Sequence, residues 1–332
     1  MPMPANRRPA RGQRRRPSGA SRLQRDLYAG VTASIVADLE AGCFPWAQPW
    51  RAGEGAGGGL PRNAMTGRPY SGINVLILWR AAFDAGYPVP SWLTFRQAAA
   101  AGGMVRRGEH GVSVCYADRF VPGEEKRRAE AAGEEARAVP FLRRFTLFNI
   151  AQCEGLDPAL VGTPVPPPPC EPVPAADAVI AASGVRFRIG GDEAFYSPRR
   201  DLVVVPPQAA FFEPINWYRT ALHELTHATG HAARLGRDLS GAFGSPGYAR
   251  EELVAELGAA FLCAALGIQP GVRHADYLGA WLEVLRADAR AIFRAASAAS
   301  RAADWLLARL ARDAAPIAQA ASPELPPGSP DG

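Results

Sequence analysis

Hydrophobic positions in the first half of the chain follow two different periods. Apolar side chains recur at helical spacing over residues 23–39 and 72–85, and "TFRQAAAAG" at residues 94–102 predicts a further short helix. Apolar and polar side chains alternate in "GVSVCYA" (111–117) and "RRFTLFNI" (143–150), as in a half-buried strand. These patterns predict helices followed by a pair of strands, an α+β arrangement.

The second half changes from strand-like to helix-like patterning. The segment "VRFRIGGDEAFYSPRRDLVVVPP" at residues 185–207 predicts short antiparallel strands joined by tight turns. The sequence after Pro214 predicts helices. We expect Asn216 to cap the first of these helices and Gly230 to end it in a left-handed conformation. The second half is therefore also α+β, with a small sheet that precedes its helices.

A proline-rich segment, "TPVPPPPCEPVP" at residues 163–174, separates the two halves. Prolines lack the amide donor and clash with a preceding helical turn, so we expect a semi-rigid linker that holds two domains apart. The predicted divisions are a disordered basic arm at residues 1–20, a first domain at 21–160, the linker at 161–176, a second domain at 177–312 and a disordered tail at 313–332.

Composition fits two globular domains, since 48% of the 332 residues are apolar. The first 25 residues contain eight arginines and no acid, so this arm either follows phosphates or is simply solvated. We find no signal-peptide pattern and no apolar run near the roughly 20 residues of a membrane span, and expect a soluble, cytoplasmic protein. The five cysteines are widely spaced without CxxC pairs, which favours neither disulfides nor a thiolate zinc site.

The segment "ALHELTHATGH" at residues 221–231 is the strongest chemical signal, because it holds three of the five histidines. His223 and His227 lie four residues apart, so both imidazoles leave one helix face and can share one Zn²⁺. Glu224 can then act as general base on a water whose pKa the metal lowers to about 7. The alternative is a pair of ordinary surface histidines.

A third zinc ligand would decide between these interpretations. His231 follows the expected helix end and is assigned to a loop or to a supporting role. We predict Glu256 as the ligand, because it is flanked by apolar residues on its helix and a buried carboxylate needs a cation. Glu252, one turn earlier, is predicted to accept a hydrogen bond from a ligand histidine, and Glu251 to be solvated.

"HELTH" followed by "EELVAELGAAFL" resembles the gluzincin arrangement of thermolysin-like zinc peptidases. In that arrangement two motif histidines and a glutamate from a following helix bind zinc. The resemblance implies that an edge strand, here residues 201–207, receives an extended peptide. Tyr248 is a candidate oxyanion donor, or an aromatic residue that only packs.

Aromatic and basic residues alternate through the first predicted domain, between residues 42 and 156. Proteins that bind single-stranded nucleic acid use this mixture, because bases stack on rings while cations follow the backbone. In the turn "VRRGEHG", glycines would let a DNA backbone approach two arginines. The candidate DNA contacts are Trp46, Trp50, Tyr70, Trp92, Arg106, Arg107, Arg143 and Arg144.

Long stretches of the chain resemble the ArdC antirestriction family. "RNAMTGRPYSGINVLILW", "SWLTFRQAAAAGGMVRRGEHG" and "RFTLFNIAQCEGL" are similar to that family's single-stranded DNA-binding domain. "HELTHATGHAARLGR" and "YAREELVAEL" are similar to its zinc metallopeptidase-like domain. The resemblance covers about residues 21–311 and implies a protein of a conjugative or related mobile element that shields entering single-stranded DNA from host restriction.

Three hypotheses follow from these observations. The first is a single-stranded DNA-binding antirestriction protein with a zinc metallopeptidase-like domain. The second is a zinc peptidase that cleaves a host protein, with DNA binding only for localisation. The third is a non-catalytic DNA-binding protein with a structural zinc, but such a site needs no general base and closes its fourth position with protein.

Overall fold

The computed structural model describes residues 19–46, 59–120, 139–157, 173–271 and 277–319, with the short pieces 127–129, 135 and 160. The predicted arm up to residue 18, most of the predicted linker and Trp50 lie outside these ranges. Within them, none of the helices combines the length and the apolar character that a membrane crossing requires.

The first half folds around a four-stranded sheet of order β1-β2-β5-β4, beside a two-stranded pair β3-β6. The elements are α1 (Gly19–Glu40), β1 (Arg62–Asn63), α2 (Ile73–Ala85), β2 (Ser91–Thr94), α3 (Phe95–Ala100), β3 (Met104–Val105), β4 (Val112–Phe120), β5 (Val139–Asn149) and β6 (Cys153–Glu154). Thr94 begins α3 through a capping box with Gln97. The long antiparallel hairpin β4–β5 joins this half's most extended strands, and the mixed helix and strand content confirms the α+β prediction.

The second half has a three-stranded sheet of order β7-β9-β8 followed by helices. Its elements are α4 (Pro174–Ala182), β7 (Arg186–Ile189), β8 (Phe195–Ser197), β9 (Leu202–Val205), α5 (Ile215–Thr229), α6 (Pro246–Ala265), α7 (Leu278–Ala287) and α8 (Ala291–Gln319). The predicted all-antiparallel arrangement is wrong, because β7 pairs parallel with β9. Helix α4 also begins inside the segment predicted as linker.

The two halves share one hydrophobic core, contrary to the expectation that a spacer holds them apart. Trp46 packs edge-to-face on Trp281, with ring centroids 5.8 Å apart, and Trp79 packs on Phe261 at 5.7 Å. The backbone amide of Gly72 donates to Ser300 Oγ over 2.8 Å. Apolar burial across the boundary therefore makes the halves one packed unit, whatever the length of chain that joins them.

Both predicted ends of α5 need correction. Its N-cap position is Pro214, while the Asn216 side chain lies in the first turn and contacts Glu213 and Arg219. Gly230 has a right-handed φ of −72°. A Cβ there would lie 2.9 Å from Leu239 Cδ2 and 3.0 Å from His227 O. Space, rather than a left-handed conformation, therefore requires this glycine.

Helices α5 and α6 pack closely at Gly258, where a Cβ would lie 2.4 Å from Thr226 Cγ2. Gly258→Ala should therefore lower the free energy of unfolding by about 1–3 kcal/mol through overpacking, measured as a lower midpoint in urea. Gly279→Ala is the matched control, because a Cβ on that helical glycine meets nothing within 4 Å; alanine there should be neutral or stabilising. Equal effects of the two changes would show that the α5–α6 approach is looser than described.

Candidate metal centre

Helix α5 carries the HExxH motif in the buried interior of the second half. His223 and Glu224 are buried, and 13% of the His227 side chain is exposed. The two imidazole centroids lie 4.9 Å apart, because residues four apart on a helix share one face. The expected pairing of the histidines is therefore present.

Glu252 of α6 completes the group of potential ligands. Its carboxylate oxygens lie 3.5 Å from His223 Nε2 and 3.4 Å from His227 Nε2. One donor atom from each of the three residues lies within 4.8 Å of the other two. Two imidazole nitrogens and one carboxylate oxygen form a set that suits Zn²⁺ and related divalent cations.

The positions predicted for Glu256 and Glu252 are exchanged in the structure. Glu256 Oε2 lies 3.6 Å from His223 Nδ1, on the far side of the ring from Glu252. Both carboxylates are buried, so burial could not distinguish them in the sequence. Helix α6 is surrounded by protein along most of its length, and the crossing of α5 and α6 decides which helical turn meets the Nε2 atoms.

Glu251 is wrongly predicted as a solvated residue. Its carboxylate lies 3.2 Å from His227 Nδ1, and Arg237 donates to it over 2.7 and 3.0 Å. Arg237 also donates to Thr226 O, which anchors it to α5. A carboxylate thus faces the Nδ1 of each motif histidine, which fixes ring orientation and leaves Nε2 directed at the ligand group. No sequence pattern linked Arg237 to the metal centre.

The charges of this cluster call for a cation. Burial by itself lowers the pKa of both imidazoles, but the neighbouring carboxylates outweigh it and raise the pKa of His223 to about 9 and that of His227 to about 10. The raised pKa values show that the carboxylates around the two imidazoles favour positive charge at this place. A divalent cation would supply that charge, so the residues present fit a metal.

A cleft of about 270 Å³ opens onto the potential ligands. It is lined by Glu224 and by Tyr196, Tyr248 and Tyr277, among others. Tyr248 and Tyr277 share a hydrogen bond of 3.0 Å between their hydroxyls, and burial raises the pKa of Tyr248, as does Tyr277. Tyr196 donates to Asp201 over 2.9 Å, and burial together with Asp201 raises its pKa to about 12. The Tyr196 and Tyr248 hydroxyls therefore stay protonated at neutral pH. Of the three tyrosines, only Tyr248 was a candidate from the sequence.

The strand expected to receive a peptide is not at a sheet edge. Residues 202–205 form β9, which is paired on both sides, by β7 and by β8. The edge strand beside the cleft is β8, since Phe195 and Tyr196 line the cleft. His231 lies beyond the end of α5 and accepts a hydrogen bond from the backbone amide of Ala233 at its Nδ1, which agrees with its assignment to a loop.

Two of the predicted DNA-stacking residues are wrong. Trp46 and Trp92 are 1% and 0% exposed and pack in the core, so neither ring can meet a base. Tyr70 is half-buried and accepts a hydrogen bond from Asn63 Nδ2. Gly111, in the turn expected to let a DNA backbone approach, instead lies against β5, where a Cβ would be 2.4 Å from Thr146 Cγ2.

Other rings, outside the list of candidate DNA contacts, are exposed on the β4–β5 hairpin and on α3 beside it. Tyr116 and Phe145, 50% and 42% exposed, contact each other on one face, with centroids 6.0 Å apart. Phe95, 60% exposed, contacts Phe148 on the other face at 6.5 Å. The predicted arginines are exposed near these rings or in the turn before β4; they are Arg106, Arg107, Arg143 and Arg144. Arg106 pairs with Glu109 over 2.7 Å.

Comparisons with known proteins agree with this arrangement of two parts. The N-terminal domain of the anti-restriction factor ArdC matches residues 25–148, and the zincin-like metallopeptidase family matches residues 174–298. The crystal structure of the metal-free antirestriction protein ArdC from plasmid R388 is 37% identical and superposes with a TM-score of 0.73, over 86% of this chain and 98% of that one. The chain belongs to the ArdC antirestriction family.

The chain is also similar to three further matches. A Mn(II)-bound structure of the R388 protein has a TM-score of 0.71 and 36% identity, over 86% of this chain and 98% of that one. The protein y4eC of Sinorhizobium fredii is 40% identical over 86% of this chain and 92% of its own length. DNA primase TraC of Escherichia coli is 38% identical over 86% of this chain, but the match spans only 27% of TraC. The zincin-like domain implies a divalent metal at the cluster on α5 and α6.

Proposed function

We propose that this ArdC family member binds entering single-stranded DNA and protects it from host restriction. The observation that carries the proposal is a pair of ring contacts with arginines beside them, on the β4–β5 hairpin and on α3 next to it, within the region that matches the ArdC N-terminal domain. Three of these four rings are exposed, those of Phe95, Tyr116 and Phe145. Exposed rings accept unstacked bases of any sequence, and guanidinium groups follow the phosphates. Little sequence preference and a strong dependence on salt are expected.

Replacing Phe95 and Phe148 together by alanine should weaken single-stranded DNA binding by roughly tenfold or more, because each stacked base contributes about 1–3 kcal/mol. Fluorescence anisotropy with a labelled oligothymidylate measures the effect. Phe212→Ala is the matched control, since this ring is fully exposed in the second half, away from the hairpin. A second double variant, of Tyr116 and Phe145, tests the other face of the hairpin in the same assay.

A comparison of single-stranded with duplex DNA can contradict this proposal. Bases within a duplex are stacked on one another and cannot meet the rings of Phe95 or Tyr116. Equal affinity of the wild-type chain for duplex and single strand, or unchanged affinity in both double variants, would reject this hairpin as the DNA-binding surface.

The second candidate function, metal-dependent peptide hydrolysis, is favoured by the place of Glu224 in the cleft. We infer that the metal is Zn²⁺ held by His223, His227 and Glu252, since zinc exceeds Mn²⁺ in affinity for such ligands. When bound, zinc would polarise a peptide carbonyl and lower the pKa of water.

The residues of the chain have separate roles in this hydrolysis. Glu224 accepts the proton of the attacking water and passes it to the leaving amine. Tyr248 or Tyr277 donates a hydrogen bond to the oxygen on which negative charge develops. Glu251 and Glu256 hold the two imidazoles in place, and β8 aligns an extended peptide beside the cleft.

Such a site serves either of two biological arrangements. In the first, protection rests on DNA binding and the metal domain has a separate task. In the second, the chain cleaves a host protein and DNA only localises it. A purely structural zinc is disfavoured, because the open cleft and the buried Glu224 are features of a site with a free coordination position.

A further inference from the structure

A second cavity, of about 720 Å³, shares Asp238, Gly241 and Glu251 of its wall with the cleft at the metal centre. We call it the arginine cavity, because five guanidinium side chains line it, those of Arg237, Arg250, Arg290, Arg294 and Arg301. The acidic residues of its wall are Asp238 and Glu251. Positive charge therefore exceeds negative charge by three in this cavity, and an anionic ligand is favoured there.

Arg290, which immediately precedes α8, and two arginines of α8 form a regular row. Arg290, Arg294, Ser297 and Arg301 are spaced four, three and four residues apart, so they follow one face of the helix along the cavity. Arg294 pairs with Asp288, but 59% of its side chain remains exposed, so this pair is largely screened by solvent. Arg301 donates to Ser297 Oγ over 2.9 Å. Each guanidinium has five donors, which leaves capacity for oxygen atoms of a ligand.

An aromatic pair lies within the same cavity. The rings of Tyr28 on α1 and Phe293 on α8 contact edge-to-face, with centroids 4.6 Å apart, and both line the cavity. The guanidinium of Arg290 lies over the Tyr28 ring at 5.1 Å. A ring beside a row of cations is the combination that holds a base together with its backbone phosphates.

We propose that the arginine cavity binds the phosphate backbone of single-stranded nucleic acid, with a base against Tyr28; this rests on the DNA binding proposed above and extends its path into the metal-binding half. Arg237 also belongs to the metal centre through Glu251, so the two sites share a wall.

The test is a double variant, Arg294→Ala with Arg301→Ala, in the full-length chain. Its affinity for a labelled oligothymidylate should fall roughly tenfold through the loss of two charge-assisted contacts. The slope of log affinity against log salt should shrink by about 1.4, since each single-strand phosphate contact contributes about 0.7. The control is Arg188→Ala with Arg199→Ala, which removes the same charge from exposed positions on and beside the small sheet. Equal losses in both double variants would overturn the proposal, because net charge alone would then explain them.

A crosslinking measurement locates the strand directly. Oligonucleotides carrying 5-bromouracil crosslink to aromatic residues on which the base lies, so a peptide containing Tyr28 or Phe293 should be recovered. Crosslinks confined to residues 59–157 would overturn the proposal, as would competition by polyglutamate as effective as that by the oligonucleotide.

If the Arg294 and Arg301 variant binds normally while the Phe95 and Phe148 variant does not, this inference alone fails. If the wild-type chain binds no single strand, the proposed function fails with it.

Discussion

Glu252→Ala should lose zinc far more severely than Glu256→Gln, although both positions are buried beside the same histidine. Glu252 is the carboxylate that faces both Nε2 atoms, so its removal takes away a ligand. Glu256 faces only Nδ1 of His223. A residue that contacts the free ring nitrogen of a ligand histidine typically contributes about 10–100-fold to metal affinity. Competition with a chromophoric chelator would measure both variants, and His227→Ala should behave like Glu252→Ala.

Glu283→Ala provides the control for this comparison, because Glu283 is an exposed glutamate on α7. Circular dichroism of each variant separates loss of metal from loss of fold. The same titrations with Mn²⁺ should give weaker binding than with Zn²⁺ in the wild type. Greater zinc loss in Glu256→Gln than in Glu252→Ala would restore the ligand set expected from the sequence and reject the one inferred from the structure.

Glu224→Gln should reduce peptide hydrolysis by roughly hundredfold or more, the contribution of a general base. Glutamine keeps the size and polarity of the buried side chain, so the fold and the zinc content should be retained. Single-stranded DNA binding should also be unchanged, because Glu224 lies neither on the hairpin β4–β5 nor in the arginine cavity. Quenched peptide substrates, metal analysis and anisotropy measure the three properties on one preparation.

The biological role of the metal site follows from the same variant. We expect Glu224→Gln to preserve protection of incoming DNA, measured as the transfer of a plasmid into a restricting host relative to a non-restricting one. The double variant of Phe95 and Phe148 should lose that protection. If Glu224→Gln instead abolishes protection while zinc content and DNA binding stay normal, the chain acts as a peptidase on the host's machinery.

Local periodicity was sufficient to predict the longer elements of the first half, the helix α5 and the first part of the metal site. The spacing of His223 and His227 follows from one turn of helix, and the capping of α3 follows from residues within one turn of each other. The alternation on β4 and β5 depends likewise on neighbouring residues. These interactions join residues that are close in the sequence, so they can be predicted without knowing which distant segments pack nearby.

Tertiary packing decided which side chains meet, because those choices depend on distant segments. The sequence places Glu251, Glu252 and Glu256 within six residues of one helix. Only the crossing of α6 over α5, with Arg237 beside it, gives each of them a different partner. Burial of Trp46 depends on Trp281, more than 200 residues away. Apolar attraction is not directional, so the sequence around a tryptophan does not determine whether its ring is buried. Burial is decided by the distant residues that the fold brings against the ring.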